Sequence, residues 1–257
     1  MKKVVTIIVI LAVIVAGAWI FVNMHTPSVA INPKTITPQT KASKPGTNSQ
    51  SFNKNLYSHT EASSIWVVVN KLNPLHPISY LPADLVFPTV PLRVPGNETM
   101  QLRRVAATAM ENMFAAAKQQ GINLMLASGY RSYSYQQTLY NGYVATQGKA
   151  VADAQSARPG YSEHQTGLAA DVEPLSRNCE VEQCFATTPE GLWLANNSYK
   201  YGFIIRYPKN GQSITGYEYE PWHIRYIGVS AATEMHNEHV TTLEQFFGYP
   251  PAPHYAQ

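Results

Sequence analysis

Ser162 to Asp171 reads SEHQTGLAAD. The polar start and the central glycine read as a turn, and the small apolar end reads as the beginning of a strand. His164 falls on the turn and Asp171 on the strand. Residues seven apart would share one helical face, but Gly167 and the turn residues around it argue against a continuous helix. Gly167 instead lets the backbone fold tightly between the two side chains. Taken alone, the stretch reads as a turn before a strand rather than as part of a metal site.

The segments around it set the fold class. LAADVEP, INLMLASGYRS, FIIRYP and EYEPWHIRYIG read as strands, the last two joined by the turn KNGQSITG. SIWVVVNKL, with Trp66 among β-branched residues, carries an equally strong strand signal. Residues 98–120 repeat apolar positions at spacings of three and four, and Gly121 suits the position just past a helix end. A second helix is expected over 134–146, entered at Ser132 or Tyr133. A third, in PEGLWLANNSYKYG, is stopped by Gly202, and a last amphipathic one runs over 230–247. The prolines between Asn73 and Gly96 forbid a long helix there. Helices and strands interspersed with tight turns predict an α+β fold, with a small antiparallel sheet carrying the site and helices flanking it.

The 257 residues carry a formal charge of +3, unevenly placed. Residues 1–62 hold six lysines and one acid, Glu61, leaving 13 of the 19 basic and 15 of the 16 acidic residues to the remainder. A nucleic-acid binder would concentrate its positive charge on the folded part, so no nucleic-acid partner is expected. Val4 to Val22 is an uncharged run of 19 residues behind Lys2-Lys3, close to the roughly 20 needed to span a bilayer. The lysines favour a cytoplasmic N-terminus and an extracytoplasmic remainder. The expected organisation is an anchor over 1–24 (or a signal peptide cut after Ala18), a flexible tether over 25–62 and a folded domain over 63–250. Cys179 and Cys184, in NCEVEQC, then read as a small disulfide loop of an exported protein, the alternative being two free thiols.

EYEPWHIRY, Glu218 to Tyr226, offers the rest of a site. Residues three apart on a regular strand face opposite ways. Pro221 lies between Glu220 and His223, and a bulge there could bring both into one cleft. A catalytic zinc needs three protein ligands and an open position. His164, Asp171 and His223 supply two nitrogens and an oxygen, a suitable set. Glu220 could take a proton from the water that such a zinc makes acidic. His236 and His239, in HNEH, have no third ligand beside them and read as a solvated face.

Together SGYRSYSYQQ, SEHQTGLAAD and EPWHIRY resemble the three signature segments of the VanY-like D-alanyl-D-alanine carboxypeptidases, a zinc peptidase group. The pattern S-x-H-x-x-G-x-A-x-D is matched by Ser162, His164, Gly167, Ala169 and Asp171, and E-x-x-H by Glu220 and His223. The resemblance runs from about Ser63 to Gly248. It implies one zinc per chain on His164, Asp171 and His223, and Glu220 as general base. It further implies that Arg131 steadies the scissile carbonyl, while Ser162 and Gln136 line the pocket for the substrate's C-terminal end. The substrate it implies is a peptidoglycan stem peptide ending in D-alanine, cut by a D,D-carboxypeptidase. L,D-carboxypeptidase, D,D-dipeptidase and a non-catalytic wall-binding zinc domain are the alternatives.

Overall fold

The computed structural model describes residues 52–256. Two short strands, β1 (Leu85–Val86) and β2 (Leu102–Arg103), pair with each other ahead of helix α1 (Arg104–Gln119). Strand β3 (Leu124–Ser128) leads into α2 (Tyr133–Gln147) and α3 (Lys149–Gln155). Then come β4 (Ala169–Pro174), α4 (Pro189–Asn197), β5 (Phe203–Tyr207), α5 (Gln212–Thr215), β6 (Glu220–Tyr226), α6 (Val229–Asn237) and α7 (Leu243–Phe247). The second sheet is four-stranded and antiparallel throughout, in the order β3-β4-β6-β5. The fold is α+β, as the alternation of segments predicts.

The sheet is buried on both faces, and the two faces differ in chemistry. Ala170, Val172 and Ile224 point into the main core, where Ala106, Met110, Met113 and Ala117 of α1 pack with Leu124 and Leu126. The intervening positions, Asp171, Glu173, His223 and Arg225, are polar and also buried. Alternation along a strand thus separates an apolar face from a reactive one.

Four expectations are adjusted. Helix α1 starts at Arg104, because Asn97 caps a short 3-10 turn at Glu98–Met100 and Leu102–Arg103 pairs with β1. The final helix is two helices. His239 has φ 56° between them, and the β-branched run Val240-Thr241-Thr242 disfavours helix while Thr242 caps Gln245 N–H. SIWVVVNKL is not a strand, although Trp66, Val67, Val68 and Val69 are buried. Its carbonyls are satisfied by side chains instead of a neighbouring strand: Arg225 Nη2 donates to Ile65 O at 3.1 Å and Val67 O at 2.8 Å, and Arg206 Nη2 to Val69 O at 3.4 Å. Finally, packing begins inside the stretch expected to be tether. Phe52 and Tyr57 lie 5.6 and 4.9 Å from Trp66, ring centre to ring centre.

Among the described residues no helix is long and apolar enough to cross a membrane. The expected anchor, 1–24, and the first part of the expected tether lie outside them.

Candidate zinc centre

Asp171 on β4 and His223 on β6 are direct partners in the sheet register. His164 sits on the 3-10 turn Glu163–Thr166 just before β4, and Gly167 ends that turn at φ 67°. A Cβ on Gly167 would lie 2.9 Å from Arg103 Cγ and 3.0 Å from Leu85 Cδ2, besides adopting a backbone that side chains disfavour. Gly167→Ala is therefore expected to cost about 1–3 kcal/mol in denaturant unfolding, and a loss below a few tenths would contradict this account of the turn.

The spacing of Glu220 and His223 is resolved by an irregularity in β6. Ile205 pairs with Ile224, but Tyr207 pairs with Glu220, so two steps along β5 face four along β6. The extra residues turn Glu220 and His223 to one side, with His223 Nδ1 3.6 Å from Glu220 Oε2.

His164, Asp171 and His223 each offer a ligand atom within 4.8 Å of the others. His164 Nδ1 bonds Gly129 O at 2.6 Å, which leaves Nε2 facing Asp171 Oδ2 at 3.4 Å. His223 presents Nδ1 to Asp171 Oδ1 at 3.2 Å. Burial lowers His164 to about 4, with Arg131 lowering it further against Asp171, so the imidazole is neutral as a ligand must be. Burial alone would raise Asp171, but His164 and Arg131 hold it well below the usual carboxylate range. Burial alone would lower His223, but Asp171, Glu163 and Glu220 outweigh it and raise it to about 9, so a metal would displace its proton on binding. With that proton gone, two imidazoles and one ionised carboxylate, buried and convergent, fit a zinc ion.

Glu220 stands beside this set with its side chain 15% exposed. Burial pushes its carboxyl up; His223 pulls down and Asp171 pushes up again, leaving it at about 7. A carboxyl poised there can both accept and release a proton near neutrality. Arg131 donates from Nη2 to Asp171 Oδ2 at 2.6 Å and from Nε to Ser128 Oγ at 3.0 Å. That commits two of its five donors. Arg131, Gln136, Ser162 and Glu220 all line one cleft of about 750 Å³ with the three ligand residues. Gln136 donates to Ser156 Oγ and Ala157 O, and its buried Oε1 has no partner among the described residues. Cys179 and Cys184 are joined, and their loop contributes Val181 and Gln183 to the cleft.

Sequence reasoning missed what lies beneath. Glu163, inside the quoted motif, is fully buried between Arg206 Nε at 2.8 Å and Arg225 Nη1 at 2.6 Å. Its other oxygen lies 3.7 Å from His223 Nε2. Arg206 also grips both oxygens of buried Glu244, which accepts from Asn70. Arginines inside the apolar strands FIIRY and HIRY were the available signal, since a buried cation requires a buried anion.

Comparison with known proteins bears on the family of the chain. The family model for VanY, D-alanyl-D-alanine carboxypeptidase, matches residues 99–229. The YodJ protein of Bacillus subtilis (strain 168) is 46% identical over 187 residues, 72% of this chain and 67% of that one. A D-alanyl-D-alanine carboxypeptidase of Enterococcus faecalis (strain ATCC 700802 / V583) is 34% identical over 181 residues, covering 67% of this chain and 62%, less than two thirds, of its own length. Among solved structures, the LD-carboxypeptidase LdcB superposes with a TM-score of 0.69 at 44% identity, over 74% of this chain and 88% of that one. A mutant of the D,D-pentapeptidase VanY, from a VanB-type resistance cassette and solved with Zn(II), gives 0.55 at 33% identity, over 72% and 99%. The chain belongs to the VanY family of D-alanyl-D-alanine carboxypeptidases.

Proposed function

We propose that this chain is a zinc carboxypeptidase that releases the C-terminal D-alanine of peptidoglycan stem peptides. The observation that carries the reading is the convergence of His164, Asp171 and His223 with an unbonded carboxylate, Glu220, 3.6 Å from one ligand. Bound there, zinc would supply an acidic water and an electrophile for the peptide carbonyl. Glu220 Oε2 accepts a proton as the attack begins and returns it to the leaving amine. Arg131 shares the negative charge that grows on the carbonyl oxygen, a contribution that counts for most in such sites. Its planar fork suits a carbonyl or carboxylate better than a lysine would. Ser162 and Gln136 meet the C-terminal residue of the substrate, Gln136 through its free Oε1 acceptor.

Two bonds compete. The motifs point to the D,D bond of a pentapeptide. The greater likeness to LdcB, in both identity and superposition, favours the L,D bond of a tetrapeptide as a second reading. Incubating the zinc-loaded chain with stem tetra- and pentapeptides, and identifying products by mass, separates them. D-alanine from the pentapeptide alone supports D,D cleavage, D-alanine from the tetrapeptide supports L,D cleavage, and no release from either overturns the enzyme reading.

One equivalent of zinc per chain is expected by elemental analysis, since the described residues converge on one such set. Zinc at about a thousandfold over Kd should add about 4 kcal/mol to stability, raising the thermal midpoint in proportion. Two equivalents, or an unmoved midpoint, would contradict a single native-state site. We further infer that Val4 to Val22 anchors the chain with its catalytic part outside the cytoplasm. The Cys179–Cys184 bond supports this, because disulfides persist in oxidising compartments.

A further inference from the structure

The loop after β4 is conformationally unusual. Arg177, Cys179 and Val181 have φ of 60°, 60° and 48°, three non-glycine residues in the left-handed region within five positions. The loop is closed by Cys179–Cys184 and anchored by fully buried Phe185. On its other side Glu180 pairs with Arg177 and lies 3.6 Å from Arg93, which is itself bonded to Glu173. The loop is therefore held in place from several directions.

Val181 is its least expected residue. A β-branched side chain is strongly disfavoured at such a φ, and glycine would adopt it freely. Core packing does not account for the valine either: Cys179 packs against the main core and Val181 does not. Val181 does line the catalytic cleft, together with Arg93, Val94, Asn97, Gln183 and Trp222. Residues kept in sparsely populated conformations cluster where their side chains serve a ligand.

Contacts of the loop indicate which part of a ligand Val181 meets. Glu180, beside Val181, lies 3.6 Å from Arg93, which bonds Glu173, two residues beyond Asp171 on the same face of β4, whereas Ser162 precedes the turn that leads into the strand. A peptide whose cut bond lies at Asp171 and whose C-terminal residue meets Ser162 would run its upstream residues toward the loop. We infer that Val181 is a specificity-determining residue, whose branched side chain packs on the substrate on the amino side of the cleaved bond. Val94 and Trp222 also line this cleft and add apolar surface to it, suited to the aliphatic stem of an upstream side chain. This inference rests on the peptidase reading above.

The test compares Val181→Gly and Val181→Ala in the full chain. Val181→Gly should raise KM for stem peptides about fivefold or more, with kcat within about twofold, as loss of a buried aliphatic contact would. The rise should grow as the peptide is lengthened upstream. Its thermal midpoint should stay level or increase, because glycine relieves the backbone. Val181→Ala should raise KM without the gain in midpoint. An unchanged KM in both variants overturns the inference while leaving the peptidase reading intact. If wild-type protein cleaves no stem peptide, the peptidase reading falls. Calorimetric titration of the same peptide into Glu220→Gln and into Glu220→Gln/Val181→Gly then decides the inference: weaker binding to the second supports it, and equal or absent binding overturns it.

Discussion

Glu220→Gln is expected to lower kcat for D-alanine release by about 10²–10⁴-fold while leaving zinc content and fold intact. Glutamine has the same shape as glutamate and keeps hydrogen-bonding capacity, but it cannot accept a proton. Glu220 is not among the three convergent ligand residues, so its replacement removes proton transfer and spares the metal. Its carboxyl is also held up, at about 7, chiefly by burial, so near neutrality a neutral amide removes about half a native-state charge rather than a whole one. Steady-state kinetics on the cleaved stem peptide, with zinc measured by elemental analysis on the same preparation, checks both halves. Activity within tenfold of wild type would remove Glu220 from the role of base, and loss of zinc would make it a ligand.

The reading of Glu220 illustrates how far local sequence reaches. The strands bearing Asp171 and His223 were legible, because each is a short apolar run with turn residues at its ends. The turn at Gly167 was legible for the same reason. That Asp171 and His223 are paired across adjacent strands was not, because register depends on partners distant in the chain. The β6 irregularity between Glu220 and Ile224 is hinted at by Pro221 and the Glu220–His223 spacing, but its size depends on the pairing with β5. SIWVVVNKL failed for a different reason. Its composition suits a buried extended segment, and it is buried. Whether such a segment joins a sheet depends on what bonds its carbonyls, and here Arg225 and Arg206 reach them first. The same two arginines explain why Glu163 escaped notice. A lone glutamate in a turn reads as solvated until the cations from two other strands are brought against it.

Glu163→Gln is expected to produce the largest loss of stability, about 3–5 kcal/mol. Glu163, Glu244, Arg206 and Arg225 are all fully buried. Burial opposes ionisation of Glu163, but Arg206 and Arg225 outweigh it and hold the carboxyl well below the usual range. Two carboxylates balance two guanidiniums, so removing one leaves a net positive charge in a dry interior, where it cannot be resolvated. Arg225 would also loosen its hold on the Ile65 and Val67 carbonyls, carrying the damage into the segment that it satisfies. Chemical unfolding in matched zinc-free buffers measures the loss, and a change below about 1 kcal/mol would show that the cluster is not acting as one charged unit. A second readout separates structure from site. Glu163 Oε2 faces His223 Nε2 at 3.7 Å, on the side of the ring away from Asp171. Losing that carboxylate should weaken zinc binding about 10–100-fold in chelator competition, as loss of a group orienting a metal ligand does. Glu244→Gln is the control, because Glu244 shares Arg206, whereas the buried carboxylate facing His223 Nε2 is that of Glu163. It should lose similar stability with zinc affinity nearly unchanged. If the two variants weaken zinc equally, the effect is general loosening of the sheet; if only Glu163→Gln does, the carboxylate within SEHQTGLAAD positions His223 as well as neutralising the arginines beneath it.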